Sequence, residues 1–173
     1  HLGRRYACFQ LKGINWEAVG DDLLPKAARA KTDQEFGLLC VQLVACLKDS
    51  HAYVMPGSAQ VPELPLPQWD PGLACLLDDR ERLVVFHVDP GRPADKAGVK
   101  AGMIVLSVNG KRADTAMKDW MKLTSTYVGY SSDRCLQYDA ARMFLRQHRR
   151  GEVVRLWVQD LQGKSREFEL TAD

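Results

Sequence analysis

This sequence predicts an α+β fold: a small N-terminal helical unit followed by a partly open β-barrel or sandwich with two or three helices. Three observations predict it. Apolar residues recur at helical spacing through residue 55, while short apolar runs broken by turn signals begin at residue 71. Between these regions lie five of the eight prolines, at positions 56, 62, 65, 67 and 71. A composition of 46% hydrophobic and 27% charged residues can bury a core.

In the helical region, Asn15 can cap a helix beginning at Trp16, with Val19, Leu23, Leu24 and Ala27 on one side and Glu17, Asp21 and Asp22 toward its N-terminal end. Pro25 is expected to kink or split it. Phe36, Leu39, Cys40, Leu43, Val44 and Leu47 form the clearest helical stripe, with Thr32 and Glu35 as a capping box before it. Two such helices bury little alone and need a third helix or another domain to lean on. Asp49, Ser50 and His51 crowd together, but neighbours on a chain point in different directions, so they read as a helix end and local bonding rather than a catalytic triad. Tyr53 and Val54 read as the start of a short strand. The proline-rich residues 56–70 read as an extended spacer, with a proline-rich ligand for another protein as the alternative.

From residue 71 onward, Leu73 to Leu77, Leu83 to Val88, Met103 to Val108 and Val153 to Val158 read as strands. A fifth, Arg166 to Leu170, alternates Phe168 and Leu170 against Glu167 and Glu169. Pro93 to Gly98 reads as a short helix with proline near its start and glycine at its end, and Asn109-Gly110 as a tight turn. Two further helices are expected, Thr115 to Leu123 with Met117, Trp120 and Met121 on one side, and Asp133 to about Gln147 with Leu136, Ala140, Met143 and Phe144 inward. The loop Thr124 to Ser132 joins them.

Charge and cysteines narrow the function classes. Lys plus Arg number 24 against 22 for Asp plus Glu, so the net charge of +2 supplies no electrostatic reason for a nucleic-acid partner. Arg142, Arg146, Arg149 and Arg150 form the densest basic patch, near a helix C-terminus where cations are favoured anyway. The five cysteines (Cys8, Cys40, Cys46, Cys75 and Cys135) show neither zinc-ligand spacing nor a complete disulfide framework, and Cys40 and Cys75 read as small core residues. No apolar run approaches membrane-spanning length. The chain begins with His1 rather than Met, so its true N-terminus and any signal peptide lie outside what these residues show.

The run PGRPADKAGVKAGMIVLSVNGK resembles the central signature of PDZ domains through Gly91, Pro93, Ala94, Ala97, Gly98, Gly102, Asn109 and Gly110. Met103 stands where that signature usually has an acidic residue. With Phe9 through Trp16, Thr32 to Phe36, and the segment ending Leu47 to Val54 included, the order of helical region, linker and PDZ-like domain resembles the carboxyl-terminal-processing (tail-specific) serine peptidases, with a permuted PDZ domain. Residues 111–135 form an insertion longer than that pattern has. The division implied is 1–55 helical, 56–70 linker and 71–173 PDZ-like.

The resemblance implies a groove that takes an extended polypeptide by strand addition, with a terminal carboxylate received by backbone amides. Pro71-Gly72-Leu73-Ala74 sits where the carboxylate loop belongs, because glycine lets the backbone turn its amides toward an anion. The peptide-binding candidates are Gly72, Leu73, Ala74, Cys75 and Leu76 on the strand, and Leu136, Ala140 and Met143 on the facing helix; the alternative is that Gly72 merely starts a strand after a linker. The family's serine nucleophile and lysine base are expected in a catalytic domain after Asp173, so no catalytic residue is assigned, although Ser131, Ser132 and Lys164 exist here. The chain alone is expected not to hydrolyse peptides. No cofactor and no metal are implied. The expected partner is a polypeptide substrate or C-terminal peptide, with homo-oligomerisation open and an exported, periplasmic or cell-envelope setting. The alternative is a stand-alone peptide-binding adaptor without protease activity.

Overall fold

The computed structural model describes residues 3, 6–55 and 62–173. Contacts divide the chain into two compact units, residues 1–65 with 123–133, and residues 66–122 with 134–173. Within the first, α1 (Trp16–Ala27) begins where the Ala18 amide donates to the Asn15 side chain at 3.1 Å. Contrary to the expected interruption, α1 runs unsplit through Pro25 and closes with the Ala28 amide on Leu24 O. The proline falls in the last turn, where it removes the one amide that would pair with Asp21 O, and the helix ends two residues later.

The second helix, α2 (Asp33–Ala45), is capped by Thr32, whose Oγ1 accepts the Glu35 amide at 3.1 Å. Glu35 reaches back to the Lys31 amide at 2.7 Å, one residue before the usual capping-box partner. Leu47 is buried beyond the helix end. There Lys12 Nζ donates to Leu47 O and Lys48 O at 3.3 and 2.7 Å, a cation among terminal helix carbonyls. Leu24 and Phe36 stay exposed, and the two helices leave an apolar hollow of about 300 Å³ lined by Trp16, Leu23, Leu39 and Leu43. Tyr53 and Val54 form no strand; among the described residues no neighbouring strand pairs with them. Residues 56–61 of the proline-rich stretch lie outside the described residues. Glu63 is held on α2 by two bonds with the Gln34 side chain, at 2.7 and 3.0 Å.

The second unit is an open antiparallel sheet. Its strands are β1 (Leu73–Leu77), β2 (Leu83–Val88), β3 (Ile104–Val108), β4 (Lys111–Arg112), β5 (Val153–Gln159) and β6 (Ser165–Thr171). They run in the order β1-β2-β3-β5-β6, with β4 hairpinned onto β3. The β3–β4 hairpin turns at Asn109 and Gly110, with φ of 50° and 77°, the left-handed pair that a two-residue hairpin needs. In β5 and β6 alternation decides the faces: Val154, Leu156, Val158, Phe168 and Leu170 point into the core while Arg155 and Glu169 pair outside at 2.9 Å.

Three helices complete the unit: α3 (Pro93–Lys96), α4 (Ala113–Thr124) and α5 (Asp133–Met143). Met117 and Trp120 of α4, and Ala140 and Ala141 of α5, join the sheet in a single core. Each fully buried aliphatic side chain there contributes about 1.5–3 kcal/mol. Met103 is part of this core, which explains an apolar residue at that position. The last helix stops at Met143, short of Gln147, because the chain turns to bury Phe144 and Leu145 and then bonds Gln147 to Trp69. The fold is thus mixed, with helices packed on an open antiparallel sheet. No helix among the described residues is long and apolar enough to cross a membrane.

Candidate functional site

Strand β1 is terminal in the sheet, so among the described residues one of its two edges lacks a strand partner. Ladder parity shows which residues use that edge. The Asp89 amide donates to Gly72 O at 2.9 Å, which makes the paired residues Leu73 and Val88 a non-hydrogen-bonded pair. Past the bulge between Ala74 and Cys75, Val85 spends its amide on Met103 O and its carbonyl on the Gly102 amide, so it too turns away from β1. Leu73, Cys75 and Leu77 therefore aim their backbone N–H and C=O groups at the outer edge, while Ala74 and Leu76 aim theirs at β2.

The side chains alternate the other way. Leu73 and Cys75 enter the core, and Ala74 and Leu76 are half-buried. Cys75 is 0% exposed, backbone included, so the edge is covered at that point and strand addition requires the cover to part. Burial also pushes the Cys75 thiol up from its ordinary pKa, leaving it an inert core group. On α5, Leu136 is half-buried and Met143 packs on the rim of the core. Ala140 is fully buried and offers no surface to a ligand in this state.

The entrance to β1 is built around Asp70. Gly72 is left-handed at φ 81°, and its amide donates to Asp70 Oδ1 at 2.9 Å. The amide that the sequence aims at a peptide carboxylate thus already holds a carboxylate of the chain itself. Arg92 Nη2 lies 3.4 Å from Asp70 Oδ1 and bonds Asp70 O at 2.7 Å, while Arg146 Nε lies 3.9 Å from Asp70 Oδ2. The Ala94 amide on Pro71 O, at 2.9 Å, ties the short helix α3 to this turn. Asp70 and Arg92 were not singled out in the sequence, and Arg146 was read only as part of a basic patch near a helix C-terminus. Asp-Pro-Gly is a turn signal that could have pointed to Asp70, whereas nothing local links it to either arginine.

In the first unit, Asp49, Ser50 and His51 form no triad. Asp49 accepts the His51 amide at 3.0 Å, the Tyr6 hydroxyl at 3.0 Å and the Lys12 ammonium at 3.5 Å. The His51 amide first, then the Tyr6 hydroxyl, hold the Asp49 carboxyl below the usual carboxylate range. The His51 ring is exposed, and the Ser131 hydroxyl accepts the Ser50 amide at 2.9 Å. Lys164 sits in the β5–β6 turn. Among the basic patch, Arg150 pairs with Asp173 at 2.7 Å and Arg142 with the Tyr138 hydroxyl at 3.1 Å, so these side chains have internal partners.

No family model matches the chain. A protein named putative tricorn protease homolog 2, from Streptomyces coelicolor, is 27% identical over 114 residues, covering 61% of this chain and 10% of that protein. The structure of mature CPAF complexed with lactacystin superposes with a TM-score of 0.65 at 12% identity, over 96% of this chain and 30% of that one. The photosystem II D1 C-terminal processing protease superposes with a TM-score of 0.40 at 18% identity, over 91% of this chain and 41% of that one. The chain spans about a tenth of the curated relative and under half of either solved structure. It is similar in sequence to a short part of a protein named as a protease homolog, and in fold to part of mature CPAF.

Proposed function

We propose that this chain is a peptide-recognition region of a carboxyl-terminal-processing serine endopeptidase, taking an extended polypeptide along the outer edge of β1. The bound segment would be presented to a serine–lysine catalytic domain outside these residues. The supporting observation is the edge itself: Leu73, Cys75 and Leu77 direct backbone donors and acceptors where no strand pairs with them. A peptide strand there gains main-chain bonds of about 0.5–1.5 kcal/mol each. Leu136 and Met143 on α5 are the proposed side-chain contacts, and the cover over Cys75 moves aside on binding.

The test is titration of the chain with extended peptides, followed through the backbone amide resonances of β1. Strand addition shifts Leu73, Cys75 and Leu77 more than Ala74 and Leu76. Methylating alternate peptide nitrogens should weaken binding about tenfold or more, since each methyl removes a donor and blocks the approach. Shifts confined to other strands, or indifference to N-methylation, would refute the proposal.

A further inference from the structure

We infer that this edge selects internal stretches of polypeptide over free C-termini, because Asp70 occupies the anion position at its entrance. The inference rests on the strand-addition reading above. Oδ1 of Asp70 takes the Gly72 amide at 2.9 Å and faces Arg92 Nη2 at 3.4 Å, while Oδ2 faces Arg146 Nε at 3.9 Å. One amide donor and two guanidinium groups thus converge on a carboxylate that belongs to the chain.

Its backbone holds it there. Asp70 O accepts Arg92 Nη2 at 2.7 Å and the Asp173 amide at 2.9 Å. The preceding residue, Trp69, is joined to Gln147 by two backbone bonds. A peptide ending in a carboxylate would find the Gly72 amide taken and would bring a second negative charge against Asp70, an unfavourable juxtaposition at any close approach. A polypeptide that continues past this point, or ends in an amide, carries no such charge and still has the donors and acceptors of β1 to pair with. Arg92 Nη2 is engaged by Asp70 O and Asp173 O as well as the Asp70 carboxylate, and Arg92 Nε is buried, so this guanidinium presents little to an incoming terminus while Asp70 is in place. Removing the Asp70 carboxylate would leave one free amide and two cations facing the same point, which suits an incoming terminus.

The experiment uses the 173-residue chain, Asp70→Ala and Asp70→Asn, with one degenerate library of apolar ten-residue peptides in three forms: free carboxylate, C-terminal amide, and embedded between Gly-Ser flanks. Fluorescence anisotropy should show the native chain binding the amide and embedded forms about fivefold or more tighter than the free acid. Asp70→Ala should reverse the order, with the acid about tenfold tighter than the amide, and Asp70→Asn should bring the two within about twofold, since it keeps an acceptor for Gly72 but not the charge. Equal or tighter binding of the acid by the native chain overturns the inference, as does an acid-to-amide ratio that neither variant moves. Asp70→Asn and the native measurement decide the matter if Asp70→Ala does not fold. An N-methylated embedded peptide separates the two readings. If N-methylation abolishes binding while the acid preference is wrong, strand addition stands and the Asp70 assignment falls. If no form binds, or binding ignores N-methylation, both fall.

Discussion

Replacing Gly72 with alanine tests the architecture of the β1 entrance. At φ 81° an L side chain costs about 1–2 kcal/mol. A Cβ built there would lie 2.4 Å from Arg92 Cβ, an atom fixed to the backbone that cannot swing aside. Relieving that overlap means moving the turn or the start of α3. Either motion stretches the bonds from the Asp89 amide to Gly72 O and from the Ala94 amide to Pro71 O, both 2.9 Å, worth about 0.5–1.5 kcal/mol each. Alanine returns about 0.4–1 kcal/mol by restricting the unfolded chain. The net loss is about 3 kcal/mol. Gly98→Ala is the control, because Gly98 is also left-handed, at φ 86°, yet has nothing within 4 Å of a built Cβ. It carries the strain and the entropy gain without the clash, for a net loss of about 1 kcal/mol. Thermal unfolding followed by circular dichroism should lower Tm by about 10–20 °C for Gly72→Ala and by less than about 8 °C for Gly98→Ala in a unit of about 100 residues. Equal shifts for the two variants would refute the claim that Gly72 is packed against Arg92.

Two further predictions follow from burial and charge. Under native conditions a thiol reagent should label Cys135, which is exposed, rapidly and Cys75 only on unfolding, since burial holds the Cys75 thiol protonated and out of reach; labelling of Cys75 at the rate of Cys135 would show that the core beneath β1 opens in the native state. Asp49 has its folded pKa depressed by the His51 amide and then the Tyr6 hydroxyl, so its contribution is present above its unfolded pKa, near about 4, and is lost as pH falls through the folded value. The Tm gap between the native chain and Asp49→Asn should therefore close as pH is lowered from about 5 toward 2, and a gap that stays constant would remove Asp49 from the acid response.

Much of the fold was legible because its signals are local. Asn15 and Thr32 start their helices through bonds to residues three positions on, and Asn109-Gly110 turns the chain on its own backbone preferences. The alternation in Arg166 to Leu170 assigned a buried and an exposed face before any partner strand was known. Errors arose where distant residues intervened. The helix from Asp133 ends at Met143 because Gln147 is drawn to Trp69, and Tyr53 and Val54 have strand-like side chains but, among the described residues, no strand beside them. Phe36 belongs to a clean apolar stripe yet is left exposed, since periodicity assigns a face without saying whether anything covers it.

The candidate site divides along the same line. The sequence by itself determined that β1 follows a glycine turn, that its apolar residues alternate, and that a helix with Leu136, Ala140 and Met143 comes later. Only the tertiary structure decided that β1 lies at the end of the sheet, that Ala140 and Cys75 are fully enclosed, and that Asp70 meets Gly72, Arg92 and Arg146. Caps, turns and alternation depend on residues a few positions apart, whose geometry the backbone dictates. The place of β1 at the end of the sheet and the meeting of Asp70 with Arg92 and Arg146 depend on which far-separated segments the packed core brings together, and no spacing along the chain encodes that.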